Sequence, residues 1–248
     1  VKQGKGSKAA FIYECGDTGE IKTVTYIQLL DMVKKHASAL RAIGVRKGDR
    51  VAIYMPMNIE AAVAMLACAR IGAIHVAIYA GFSPGAIADR LDMSGAEYIL
   101  TQDAGSRRGK PVPLKDMVDE AIKLLPPEKQ IKTVVVLRKY KDENIFMKEG
   151  RDIYWDEFLA GGEGVSSEYV PVESNEPLFL MPTSGTTARP KVTVHNQGGY
   201  QVYIYSQGKW IYGLKADDIW FSTSDIGWVV GHSYNVYGPL LFGCTSIL

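Results

Sequence analysis

The sequence predicts an α/β fold built on a layered parallel sheet. Three observations carry that prediction. Short apolar runs recur at 51–55, 74–79, 98–101 and 133–137. The intervals between them are long and carry apolar residues at helical spacing, so each pair of runs reads as strand–helix–strand. Turn formers fall at the joints, at Gly72, Gly95, Pro126 and Pro127. Units of this kind imply parallel pairing through right-handed crossovers.

In chain order, residues 1–8 form a loose lead-in. Residues 9–14 and 22–25 make two short strands around a turn at Gly16, Asp17, Thr18 and Gly19. Thr25 caps a helix whose apolar stripe is Leu29, Leu30, Val33, Ala37, Leu40 and Ile43, with Gly44 after its last turn. A strand at 51–55 leads to Asn58, which caps a helix through Arg70 closed by Gly72. The strand 74–79 follows. Ser83 and Pro84 open a helix to Met93, and Gly95 ends it. Then come a strand at 98–101, a helix at 114–125 stopped by Pro126, and a strand at 133–137. Residues 139–150 are charged and read as an exposed loop, 155–159 as a helical turn, and 161–174 as a connector. A strand at 178–181, a helix at 198–210 and a strand at 219–222 complete the reading. The expected division is a first α/β subdomain over 1–172 and the incomplete start of a second over 173–248.

With 47% hydrophobic and 22% charged residues, the 248-residue chain has the composition of a soluble globular protein. A net charge of +1 argues against nucleic acid or an anionic membrane as the main partner. No run of apolar residues is long enough for a transmembrane helix. Cys15, Cys68 and Cys244 are widely spaced and form no C-x-x-C pair, which points away from zinc and from a disulfide framework and toward a reducing cytoplasm. The chain begins at Val1 without a signal peptide and stops within what reads as a buried strand, so a fragment of a longer protein is expected. A homo-oligomer stays open.

The chemistry centres on residues 181–195, MPTSGTTARPKVTVH. After an apolar strand, Thr183, Ser184, Gly185, Thr186 and Thr187 supply four hydroxyls and a flexible backbone, and Arg189, Pro190 and Lys191 follow. Backbone N–H groups, hydroxyls and a lysine together suit a polyphosphate. The spacing from Gly185 to Lys191 matches Walker A, but Pro190 stands where that motif needs glycine and Val192 has no hydroxyl for magnesium. The stretch instead resembles T-S-G-[ST]-T-G-x-P-K-G, the signature of adenylate-forming enzymes, at Thr183, Ser184, Gly185, Thr186, Thr187, Pro190 and Lys191. The pattern's two remaining glycines are Ala188 and Val192 here.

Three further stretches extend the resemblance toward short-chain acyl-CoA synthetases of the acetyl-CoA synthetase type. Tyr79, Ala80 and Gly81, ahead of Phe82 and Ser83, end a strand where open parallel sheets bind ligands, although taken alone they read as an ordinary βα turn. Arg107, Arg108, Gly109 and Lys110 read by composition as a solvated basic loop. In the family, similar segments hold the nucleotide phosphates of coenzyme A. Residues 223–240 resemble A-D-x-G-W-x-T-G-H-S-Y-x-x-Y-G-P-L. That resemblance places Trp228 at the gate between acyl pocket and pantetheine channel, and Val229 and Val230 at the acyl pocket, with Val230 also at the thiol entrance. Val230 replaces the family's Thr, which makes the pocket more apolar and suits an acyl chain longer than acetate. Tyr234 and Tyr237 read as core packing, His36, His75 and His195 as structural, and His232 as packing or orienting a neighbour. The histidines show no metal-ligand spacing, and no G-x-S-x-G elbow supports a hydrolase.

The resemblance implies the N-terminal portion of a layered α/β domain that is followed by a mobile lid. It implies a ligase using ATP with magnesium, coenzyme A and a small carboxylate such as acetate or propionate. A carboxylate attacks the α-phosphate of ATP to give acyl-AMP and pyrophosphate, and the thiol of coenzyme A then displaces AMP. Lys191 and Thr183 are the expected catalytic residues, screening charge on the phosphates. No metal-binding side chain is assigned. These 248 residues alone are expected to be inactive. A non-catalytic nucleotide- or coenzyme-A-binding homologue is the alternative, suggested by Ala188 and Val192.

Overall fold

The structure is a computed structural model that describes residues 1–16, 18–107, 109–140, 145–183 and 191–248. Its N-terminal hairpin, β1 (Ala9–Glu14) and β2 (Ile21–Thr25), leads into α1 (Tyr26–Ala42). Thr25 and Gln28 cap that helix reciprocally. The Thr25 hydroxyl accepts from the Gln28 N–H at 3.4 Å, and Gln28 Oε1 accepts from the Thr25 N–H at 2.9 Å. After β3 (Arg50–Tyr54), Asn58 Oδ1 accepts from the Ala61 N–H at 2.8 Å and starts α2 (Ile59–Ile71). Gly72, at φ +72°, ends it in the left-handed conformation that favours glycine. Next come β4 (Ile74–Ala77), α3 (Pro84–Ser94), β5 (Tyr98–Gln102), β6 (Gly105–Arg107), β7 (Lys110–Val112), α4 (Leu114–Lys123) and β8 (Thr133–Leu137). They are followed by β9 (Asp152–Tyr154), α5 (Trp155–Gly161), β10 (Pro177–Thr183), β11 (Lys191–Asn196), α6 (Gln197–Trp210) and β12 (Ile219–Phe221). The chain closes with α7 (Val229–Gly231), a π-helix (His232–Tyr237), α8 (Gly238–Phe242) and β13 (Thr245–Ile247).

The main sheet has seven strands in the order β11-β10-β4-β3-β5-β8-β9. Every pairing in it is parallel except β10 with β11. A second sheet runs β12-β13-β1-β2. Each sheet takes strands from both sides of residue 172, so that position divides the chain but not the sheets. β3 explains why its apolar run is continuous rather than alternating. Val51 and Ile53 pack into a core with Leu29, Val33 and Met65, while Ala52 and Tyr54 pack into another with Ile87, Leu91 and Val118. A strand covered on both faces needs apolar residues at every position.

Three elements depart from the sequence expectation. The basic loop read at 107–110 lies within a two-stranded hairpin, β6 with β7, that Gly109 helps to turn at φ +72°. Residues 191–196, which include the last part of the stretch 181–195 read as a phosphate-binding loop, form the strand β11. Part of the charged stretch 139–150 is tied down by Lys115, whose fully buried ammonium donates to Asp119 Oδ2 at 2.6 Å and to the Phe146 carbonyl at 2.8 Å. Asp152 Oδ2 lies 3.0 Å from the same ammonium. Arg151 completes the cluster, reaching both Asp119 and Asp152 at 2.5 Å. Burial pushes the Asp152 carboxyl up, but hydrogen bonds from Arg151, the Lys148 N–H and Lys115 outweigh it and hold the group below its ordinary value.

Candidate functional site

Thr183 ends β10 and Lys191 begins β11, and the two residues face each other across the antiparallel pair. The Thr183 hydroxyl donates to the Lys191 carbonyl at 3.2 Å. β10 and β11 are antiparallel neighbours at the edge of the sheet, so the described chain resumes at Lys191 in a strand and not a helix. Ser184, Gly185, Thr186 and Thr187 lie outside the described residues, as do Ala188, Arg189 and Pro190. The Lys191 side chain is exposed, and no carboxylate pairs with it among the described residues. Val192 sits opposite Pro182 in the ladder, extended backbone that a β-branched residue fits well.

Tyr79, Ala80 and Gly81 form the turn that leaves β4, and the Phe82 N–H donates to the Tyr79 carbonyl at 3.0 Å. The buried Tyr54 hydroxyl sits 3.1 Å from the carbonyl oxygens of both Ala80 and Phe82 and holds the turn from beneath. A Cβ at Gly81 would lie 2.4 Å from the Tyr79 ring, which would have to swing aside. Gly227 is required by space, since its Cβ would lie 2.7 Å from the backbone N and Cα of Tyr79. The turn after β4 and the turn before α7 are thus pressed together. Tyr79 and Phe82 meet edge to face at 5.4 Å, and the Trp228 ring lies 6.4 Å from the first and 6.5 Å from the second. Two stretches that the sequence keeps apart become one aromatic cluster.

Trp228, Val229 and Val230 project outward, each 40% to 48% exposed, just before the chain turns into the buried π-helix. Their backbone is held from below. Asp225 Oδ1 accepts from the Gly227 N–H at 2.6 Å, and burial raises that carboxyl's pKa. His232 Nδ1 lies 3.2 Å from the Trp228 carbonyl. The π-helix is anchored by Tyr237, whose hydroxyl is 2.8 Å from His75 Nε2, and by Ser233, which bonds the Tyr200 hydroxyl at 2.9 Å. One-turn π-segments are frequent at functional sites.

Behind these turns is a column of stacked rings. Phe179 of β10 stacks on His195 at 4.3 Å and on His232 at 4.5 Å, and His75 lies 5.3 Å from it. Burial drives the His232 imidazole down to about 4 and that of His75 well below its ordinary value, so both are neutral near pH 7. His195 and His75 pack as the sequence reading had them. Sequence reasoning missed the column, because its members come from four separate segments and no local pattern marks them. It also missed Arg90, whose guanidinium lies 3.9 Å over the Phe82 ring.

Arg107 and Lys110 face each other across the β6–β7 hairpin, which leaves the carboxyl end of β5. Arg108 lies outside the described residues, and Gly109 occupies the turn. β4 and β5 flank β3, so the hairpin and the Tyr79 turn leave the same edge of the sheet. No hydrogen bond or ion pair joins them among the described residues. Nor does any group of three His, Cys, Asp or Glu side chains there suit a metal ion. A cavity of about 730 Å³ between α1, α2, α6 and the N-terminal segment contains none of these residues.

The sequence matches the family described as AMP-binding enzyme over residues 1–248. It is 46% identical over 248 residues to an acetyl-coenzyme A synthetase of Deinococcus radiodurans, covering all of this chain and 37% of that protein. It is 49% identical over 242 residues to a 3-hydroxypropionyl-coenzyme A synthetase of Sulfurisphaera tokodaii, covering 97% of this chain and 36% of that protein. The structure of an acetoacetyl-CoA synthetase from Streptomyces lividans superposes with a TM-score of 0.85 at 30% identity, over 98% of this chain and 36% of that one. The chain therefore spans a little more than a third of the length of these relatives.

Proposed function

The chain belongs to the AMP-binding enzyme family, and on that premise we propose that it is part of an AMP-forming ligase that activates a short-chain carboxylate and transfers the acyl group to coenzyme A. The relatives' names support the reaction class. The observation that carries the reading is the contact of the Tyr79 turn with Gly227 and Trp228, on the sheet whose edge hairpin joins Thr183 to Lys191.

In the first step a carboxylate oxygen attacks the α-phosphorus of ATP, which enters as its magnesium complex, and pyrophosphate leaves. Two anions must meet, so the site has to screen charge. Lys191 and Thr183, with Ser184, Gly185, Thr186 and Thr187, take that role. In the second step the sulfur of coenzyme A attacks the acyl carbon and AMP departs. Arg107 and Lys110, with Arg108 and Gly109, receive the coenzyme's nucleotide phosphates beside the backbone of Tyr79, Ala80 and Gly81. Two cations opposed across a hairpin repel each other, and a bound phosphate relieves that repulsion. Trp228 gates the acyl pocket, which Val229 and Val230 line. An apolar side chain at Val230 favours propionate or a longer acid over acetate. Residues 1–172 thus carry the coenzyme side and 173–248 the phosphate loop. A cytoplasmic setting belongs to the same proposal.

The test is carboxylate-dependent ATP–pyrophosphate exchange, run with acetate, propionate and butyrate on the polypeptide extended to its relatives' length, followed by thioester formation with coenzyme A. Exchange supports the ligase. ATP binding without exchange would leave the non-catalytic binding protein.

A further inference from the structure

We propose that Arg90 is a positioning residue for the coenzyme A step: its guanidinium, laid over Phe82, holds the aromatic turn of Tyr79 and Phe82 against Trp228. The proposal rests on the function given above. Arg90 lies in the middle of α3 and is only 9% exposed. A cation taken out of water normally finds a carboxylate. Among the described residues none lies within ion-pair distance of Arg90, and only its chain neighbour Asp89 attracts it from farther away. It donates to the Ala86 carbonyl at 2.7 Å, and its guanidinium carbon lies over Phe82, 3.9 Å from the ring centroid.

A methionine would fill much of the same volume without the cost of burying charge. What the guanidinium adds is direction. A flat cation on an aromatic face fixes the tilt of that ring by stacking and by attraction to its electron-rich face, which an aliphatic chain does not. The remaining contacts of the turn show why tilt matters. Tyr54 holds only the backbone carbonyls of Ala80 and Phe82. The Phe82 ring stands at 87° to Tyr79 and 63° to Trp228. Trp228, half in solvent, rests on these two rings. Arg90 is thus the third support of a side chain it does not touch, with Phe82 as the link.

The experiment compares Arg90→Met and Arg90→Lys in the full-length polypeptide. Each is made with and without Trp228→Phe, so that the difference in acrylamide quenching isolates Trp228. Arg90→Met is expected to raise the KM for coenzyme A about tenfold, while the KM for ATP in pyrophosphate exchange stays within about twofold. Arg90→Lys, which keeps the charge but not the flat stacking face, should recover only part of the loss. Trp228 should become more readily quenched in Arg90→Met without any substrate present. Unchanged quenching together with an unchanged KM for coenzyme A would overturn the proposal. So would an equal rise in both KM values with a lowered melting temperature, which marks a packing role alone. If the unmutated protein shows no exchange, the ligase reading fails, and the quenching difference alone decides the place of Arg90.

Discussion

His75 and His232 stack ring on ring inside the protein, with centroids 5.2 Å apart and planes 17° from parallel. Each keeps one ring nitrogen without a hydrogen-bond partner. The pair joins β4 to the π-helix and, through Phe179, to β10. Such an arrangement tolerates neutral imidazoles and not cations, since each charge would repel the other in a dry interior.

Acid should therefore loosen the fold early. Burial lowers His232 and His36 from 6.5 to about 4, and holds His75 well below its ordinary value. The unfolded chain takes up these protons near pH 6.5 while the folded chain resists until about pH 4, so stability present above pH 6.5 is lost as pH falls through that window. His36 and His232 should each account for about 3 kcal/mol of the loss. Asp225, raised by burial, works in the opposite sense, starting nearer its ordinary value of 3.8. Urea midpoints measured between pH 7 and 4 check this, and a flat profile would contradict it.

The buried charge cluster should be intolerant of losing one member. Lys115→Met leaves the fully buried Asp152 carboxylate with Arg151 and the Lys148 N–H and should cost about 3 kcal/mol. Adding Asp152→Asn should return part of that. Thermal or urea unfolding of the single and double variants measures both numbers.

The junction of the two turns is sensitive to one methyl group. Gly227→Ala would press a Cβ to 2.7 Å from the Tyr79 backbone, which cannot swing aside as a side-chain tip could. The expected loss is about 2 kcal/mol of stability. Thioester formation should fall further than pyrophosphate exchange, as kinetics of the two half-reactions would show.

Selectivity should follow Val230. The side chain is half exposed, so Val230→Thr leaves stability within about 0.5 kcal/mol. Its new hydroxyl should move the ratio of kcat/KM for acetate over butyrate upward by about tenfold. An unchanged ratio across the carboxylate panel would remove Val230 from the acyl pocket.

Lys191 should matter for chemistry and not for folding. Its side chain is exposed at the start of an edge strand, so Lys191→Met should leave the melting temperature nearly unchanged. Pyrophosphate exchange should drop about a hundredfold. The 248 residues by themselves should form no thioester, which a direct assay for acyl-CoA tests.

Local sequence sufficed wherever structure depends on neighbours along the chain. Thr25, Asn58, Gly72 and Gly95 mark helix ends because capping uses backbone groups within a turn. The continuous apolar runs of β3, β5 and β8 read as parallel strands because both their faces are covered. The signature from Thr183 to Lys191 was legible for the same reason, as a contiguous set of hydroxyls, glycine and lysine. Other features depended on partners distant in sequence. Lys115 looked like any polar residue on an amphipathic helix until Asp152 arrived from beyond the next strand. Arg90 gained its role only when Phe82 turned back over α3. The stacked rings of His75, Phe179, His195 and His232, and the meeting of Tyr79 with Trp228, required the sheet and the π-helix to bring together segments up to 157 residues apart, the interval from His75 to His232. Helical and strand periods report which face of an element is apolar. They carry no information on which residue waits on the opposite face, and that pairing is decided only by packing.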